Sequence, residues 1–146
     1  MRETLFNWLQ TEIHGARCLD LFAGSGALGL EALSRGASAL LAVEQNRTAA
    51  QRLRENIALL NEQAAAEVMQ RDALSLVARP PPVPFGIVFL DPPFGQKLLA
   101  AACLLLEDHQ WLTAEAWIYL EQDAARPWPE LPTNWSLYRE GRAGQS

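Results

Sequence analysis

The turn Gly24-Ser25-Gly26, set between an apolar run and a helix-type pattern, constrains this chain more than any other stretch. Upstream, Arg17 to Phe22 (Arg-Cys-Leu-Asp-Leu-Phe) reads as a buried strand. Downstream, Ala27 to about Arg35 reads as a helix, with Gly36 as its C-cap. A strand that turns straight into a helix is the first half of a parallel β-α-β unit. The alternation then recurs. Ala39 to Val43 is a strand ending at Glu44, and Asn46 is an N-cap for a helix from Arg47 to Leu60 with Leu53, Ile57 and Leu60 on one face. Glu67 to Gln70 is a strand ending near Asp72, and Ile87 to Leu90 is one ending at Asp91. Lys97 to Glu107 is a helix, Ala116 to Leu120 a fifth strand and Trp135 to Tyr138 a sixth. Arg2 to Gln10, with Leu5, Trp8 and Leu9 spaced at i, i+3, i+4, is a short amphipathic helix ahead of them all. The pattern predicts an α/β fold: a Rossmann-like, doubly wound, mostly parallel sheet in a single domain spanning residues 1–146.

The chain has the size and composition such a core needs. Its 146 residues are 49% hydrophobic and 20% charged, which excludes a disordered chain. No apolar run approaches the roughly 20 residues of a membrane span, and no signal peptide opens the chain. Cys18 and Cys103 lie among apolar neighbours without metal-like spacing, so they read as buried thiols in a reducing compartment. A cytoplasmic protein without membrane or metal follows, with a monomer expected. The net charge of −5 is unevenly spread: six basic and six acidic residues lie up to Leu60, and six basic face eleven acidic beyond it. A nucleic-acid binder carries a basic stripe, and none is visible here.

In doubly wound sheets ligands bind outside the carboxyl ends of the strands. Gly24 and Gly26 follow the first strand, Glu44 ends the second, Asp72 follows the third and Asp91 ends the fourth. The predicted sheet therefore gathers a glycine turn and several acids on one rim. Gly24-Ser-Gly26-Ala-Leu-Gly29 also fits the dinucleotide pattern G-x-G-x-x-G, a weak signal alone. NAD brings a pyrophosphate to the helix N-terminus, where Asp20, four residues before the first glycine, is unhelpful. S-adenosylmethionine carries an ammonium and a sulfonium instead, and a nearby acid favours both. The cofactor contacts expected are Asp20, Phe22, Gly24, Ser25, Gly26, Glu44, Gln45, Asp72, Ala73 and Asp91. Among them Glu44 is assigned the ribose hydroxyls, and Asp72 with Ala73 the adenine.

The fourth strand stops at Asp91-Pro92-Pro93-Phe94. Neither proline donates a ladder hydrogen bond and each fixes its own φ, so the acid is followed by a stiff turn that suits a flat polar group. Together these residues resemble the class I S-adenosylmethionine-dependent methyltransferases. The tetrapeptide resembles the motif of members that methylate planar amino groups. Arg2-Glu-Thr-Leu-Phe-Asn-Trp-Leu9, followed by Leu19-Asp-Leu-Phe-Ala-Gly-Ser-Gly-Ala-Leu-Gly-Leu-Glu-Ala-Leu-Ser-Arg-Gly36, is similar to the RsmD family. That resemblance implies transfer of a methyl group to the N2 amine of a guanine in 16S ribosomal RNA, within an assembling small subunit. It implies Asp91, Pro92, Pro93 and Phe94 as the catalytic residues. It also implies a chain shortened at both ends, without the family's basic leading segment and last strand. The same tetrapeptide serves DNA adenine N6 or cytosine N4 methylation, and a NAD-binding module stands as a reading from another class. His14, His109 and Lys97 read as surface residues, and Trp111, Trp117, Trp128 and Trp135 as core or loop anchors.

Overall fold

The computed structural model describes residues 2–92, 95–121 and 128–137. In chain order it contains α1 (Arg2–Trp8), β1 (Arg17–Asp20), α2 (Ala27–Ser34), β2 (Ala39–Val43), α3 (Arg47–Leu59), β3 (Ala66–Met69), α4 (Ala73–Val77), β4 (Phe85–Leu90), α5 (Gly95–Asp108) and β5 (Leu112–Leu120). The strands form one sheet in the order β3-β2-β1-β4-β5, and every pairing recorded among the described residues is parallel. The order runs outward in both directions from the β1/β4 pair, and this is the switch point at which a crevice opens at the strands' carboxyl ends.

Both faces of the sheet are covered, and strand alternation divides the core between them. Cys18, Leu40, Ala42, Ile87 and Phe89 face one side, packing with Leu5 and Phe6 of α1, Leu9 just after it, Ala32 and Leu33 of α2, and Leu53 and Ile57 of α3. Leu19, Leu21, Val43, Val88 and Leu90 face the other, against Leu76 and Val77 of α4 and Leu99, Cys103 and Leu106 of α5. The α1 stripe differs from the sequence expectation: Phe6 is fully buried, whereas Trp8 is only partly so.

Local chemistry explains most boundaries. Asn46 accepts from the Ala49 N–H at 2.9 Å and caps α3. Gly36 closes α2 at φ 105°, where its carbonyl takes the Gly15 N–H at 2.8 Å. Burial pushes the thiols of Cys18 and Cys103 up to about 12, so both are inert neutral core groups. Among the described residues no helix is long and apolar enough to cross a membrane.

Three sequence expectations change. The link between β3 and β4 contains a short helix, α4, that the sequence reading does not include. The last paired strand runs from Leu112, with a register shift opposite Phe85 to Ile87, rather than from Ala116. The sixth strand is not observed in its described part. Trp135, Ser136 and Leu137 are not extended in the sheet, and the Trp135 indole donates to Glu107 Oε1 at 2.7 Å, holding the segment on α5. Tyr138 lies outside the described residues.

Gly26 is the tightest point of the glycine turn. Its φ is 84°, and a Cβ there would lie 2.2 Å from Leu53 Cδ1, a side chain buried in the core. Gly24 also has positive φ, 55°, but open space beyond it. Gly26→Ala is therefore expected to lose about 3 kcal/mol, backbone strain and overpacking together. Gly24→Ala should lose only about 1 kcal/mol. Thermal melts of the two variants side by side test this, and equal losses would refute the packing component.

Candidate active site

Parallel pairing brings every strand's carboxyl end to one rim. Asp20 closes β1 beside Phe89 of β4, Glu44 follows β2, Asp91 follows β4, and Asp72 lies just beyond β3. Short ladder extensions hold these exits in place: Leu21 N–H to the Phe89 carbonyl at 3.2 Å, Ala23 N–H to Val43 at 2.9 Å, and Glu44 N–H to Met69 at 3.0 Å. The sequence-predicted acids are thus placed along one edge, with Asp20 and Asp91 on the two strands of the switch point.

Asp20 is the unusual member. It is the one polar or charged side chain among the buried described residues, 3% exposed. Burial raises its carboxyl to about 7; a hydrogen bond with the Gly29 backbone works against the rise, and the charges of Asp91 and Glu44 add to it. Its Oδ2 lies 3.4 Å from where a Gly29 Cβ would stand, so the glycine admits the carboxylate to the first turn of α2. A carboxyl this deep, facing two further carboxylates, is a poor neighbour for a phosphate and a good one for a cation.

Asp91 is raised to about 6, first by burial of its carboxyl and then by Glu121. The residue as a whole is exposed at the rim, so this shift is the more easily screened of the two. Pro92 follows it half-buried, while Pro93 and Phe94, the rest of the predicted catalytic turn, lie outside the described residues.

Glu44 does more than the sequence indicates. Its Oε1 accepts from the Gly24 N–H and its Oε2 from the Asn46 N–H, each at 2.8 Å. It therefore ties the glycine turn to the start of α3, and each oxygen keeps the capacity to accept a further hydrogen bond. Asp72 acts as the N-cap of α4. Its Oδ2 takes both the Ser75 N–H and the Ser75 hydroxyl at 3.0 Å, leaving Oδ1 without a recorded bond among the described residues. Ala73 is buried as the first residue of α4, Phe22 is half-buried against the second core cluster, and Ser25 and Gln45 are exposed.

Glu121 was missed. It follows β5, its N–H donates to the Leu90 carbonyl at 2.9 Å, and its carboxylate accepts from the Tyr119 hydroxyl. The signal was present in the sequence: an acid directly after a predicted strand, the same rule that located Glu44 and Asp91. Every strand of the sheet is thus followed or closed by an acid at this rim. Tyr119 is half-buried, and its hydroxyl is raised by burial, by that hydrogen bond and by the charges of Glu121 and Asp91.

The whole chain, residues 1–146, matches the family described as Conserved hypothetical protein 95. Ribosomal RNA small subunit methyltransferase D of Escherichia coli (strain K12) is 50% identical over 145 residues, covering 99% of this chain and 72% of that protein. The chain belongs to the RsmD family. Its counterpart in Haemophilus influenzae is 42% identical, covering 99% of this chain and 75% of its own length. The solved structure of the Escherichia coli protein YhhF superposes with a TM-score of 0.94 at 50% identity, covering 99% of this chain and 80% of that one. The α/β architecture is accordingly that of a Rossmann-like class I methyltransferase.

Proposed function

We propose that this RsmD-family chain is a ribosomal RNA methyltransferase that moves a methyl group from S-adenosylmethionine to the N2 amine of a guanine in 16S RNA. The observation that carries the donor is Asp20: a carboxyl raised first by burial and then by the charges of Asp91 and Glu44, set beside Gly29 at the start of α2. That donor set fits a cationic ligand and disfavours the pyrophosphate of NAD. The nature of the acceptor is supported by the named relatives and by the sequence Asp91-Pro92-Pro93-Phe94 that follows β4.

Asp20 and the Gly24–Gly26 turn are assigned the methionine end of the cofactor, Glu44 the ribose hydroxyls, and Asp72 with Ala73 the adenine. When bound, S-adenosylmethionine supplies a methyl carbon made electrophilic by its sulfonium. The residues of the turn prepare the other reactant. The amine of guanine is a weak nucleophile because its lone pair is delocalised into the ring. The Asp91 carboxylate and the Pro92 carbonyl accept its two N–H hydrogens and turn the lone pair outward. Bound S-adenosylmethionine would give up its methyl group and leave as the neutral thioether, and the amine would shed one proton, for which Asp91 is assigned as the acceptor. Stiff proline geometry fixes both acceptors beforehand, so little reorganisation is needed during transfer. Phe94 is assigned the stacking face for the base, worth roughly 1–3 kcal/mol. The target guanine must be unpaired or flipped to reach this rim.

Two measurements test the reading. S-adenosylmethionine should raise the melting temperature by several degrees at saturating concentration, and NAD should leave it unmoved. Methyl label from S-adenosylmethionine should enter free 16S RNA or assembled small subunits as N2-methylguanine. Label in duplex DNA, or a melting shift with NAD alone, would overturn the assignment.

A further inference from the structure

We propose that Glu121 is the residue that selects guanine, accepting a hydrogen bond from the base N1–H while Asp91 takes the adjacent 2-amino group. This rests on the guanine-N2 reading above. Three features fix where Glu121 stands. Leu120 pairs with Leu90 at the end of β5, and the Glu121 N–H donates to the Leu90 carbonyl at 2.9 Å, so Glu121 and Asp91 leave the sheet side by side. The Tyr119 hydroxyl holds Glu121 Oε1 from below. Tyr119 itself packs against the core cluster of Phe6 and Phe89, which anchors the clamp in the hydrophobic interior.

Oε2 of Glu121 has no recorded bond among the described residues, and the residue is exposed at the rim. Its charge reaches Asp91, whose carboxyl it helps to raise. Two neighbouring carboxylates repel each other, so holding one rigid beside the other costs stability unless a ligand uses both.

Guanine suits this pair. Its Watson–Crick edge presents the N1–H and the 2-amino hydrogens as a contiguous row of donors, matching two adjacent acceptors. Adenine and cytosine also carry an amine, but each sets beside it a bare ring nitrogen lone pair. That lone pair would face the Glu121 carboxylate and be repelled by it. Base choice would thus come from the second carboxylate, while Asp91 alone accepts from any planar amine. If Glu121 merely supported Tyr119, its removal would leave base preference unchanged.

The probe is an RNA oligonucleotide spanning the nucleotide the wild-type protein methylates, made with guanine or with 2-aminopurine at that position. 2-Aminopurine keeps the 2-amino group and replaces N1–H by a lone pair. Wild-type protein should prefer guanine by about 10–100-fold in kcat/KM. In Glu121→Gln the amide oxygen still takes the Tyr119 hydroxyl and the amide nitrogen replaces Oε2, now as a donor. Guanine transfer should fall by a similar factor while 2-aminopurine transfer rises, and S-adenosylmethionine affinity should stay within about twofold. RNA dissociation constants, measured with S-adenosylhomocysteine in place of the donor, should shift in the same direction. A Glu121→Gln protein that keeps the wild-type preference, or loses cofactor affinity in step with activity, would overturn the assignment while leaving the proposed function intact. A wild-type product other than N2-methylguanine would overturn both.

Discussion

Asp91→Ala is expected to reduce methyl transfer by at least about 10³-fold while leaving S-adenosylmethionine affinity within a few fold. The asymmetry follows from position. Asp91 is exposed beyond the end of β4, next to Glu121, whereas the buried carboxyl beneath the glycine turn is Asp20. Removing Asp91 deletes the acceptor that orients the amine and takes away a repelling charge from Asp20, so cofactor binding has little reason to weaken. Asp91→Asn separates orientation from proton removal. It keeps a carbonyl acceptor, so an orienting role predicts a loss of only about 10–100-fold, whereas a base role predicts one close to that of alanine. The pH dependence gives a second readout. The carboxyl of Asp91 is raised to about 6 by burial and by Glu121, and the other ionisable groups coupled to it are Tyr119 and Asp20. Below that value it carries a proton and loses acceptor capacity, so kcat should fall on the acid side with an apparent pKa near 6. Near-normal transfer by Asp91→Ala would remove it from the mechanism.

Much of this site is legible in the sequence, because it is built from residues whose backbone demands are severe. The Gly24–Gly26 turn needs positive φ at both glycines, and Asn46 and Gly36 mark helix ends by local chemistry that operates in any context. Parallel strands then carry their terminal acids to one rim without further information. What stayed hidden depends on tertiary partners or on short spans. The α4 helix has five residues, too few for a 3.6-residue periodicity to declare itself, and the capping role of Asp72 appears only in the structure. The first half of β5, Leu112 to Glu115, is largely exposed and lacks an alternating pattern. Trp135 sits in a run that reads as strand, yet its indole is drawn to Glu107 on α5. The double use of Glu44, accepting from both Gly24 and Asn46, depends on the approach of the β1–α2 turn to the end of β2. Sequence order alone contains no trace of that approach.

Asp20→Asn is expected to move stability and cofactor affinity in opposite directions. Asp20 is 3% exposed and its carboxyl is raised from 3.8 to about 7, chiefly by burial. Between those values the folded chain holds a proton that the unfolded chain has released, so unfolding free energy falls as pH rises through this window. Above about 7 the full cost is present, because the folded chain must then keep a charged carboxylate beside Asp91 and Glu44. At roughly 1.4 kcal/mol per unit the ceiling on that cost is about 4 kcal/mol. An asparagine removes the charge at nearly constant volume but weakens the bond to the Gly29 backbone, so a net gain of about 2 kcal/mol is the reasonable expectation. The cofactor-free variant should therefore melt about 4–8 °C above wild type at pH 8 and show no gain at pH 4–5. Its affinity for S-adenosylmethionine should drop by about 10–100-fold, since the charge that burdens the empty fold is the one that meets the cofactor's cations. Wild-type binding should also release protons near pH 6–7, visible as a buffer-dependent binding enthalpy in calorimetry. A variant that gains stability at pH 8 yet binds the cofactor as tightly as wild type would show that Asp20 is a strained core residue and not part of the cofactor site. Loss of affinity without the stability gain would mean that burial of this carboxyl costs the empty fold far less than its position indicates.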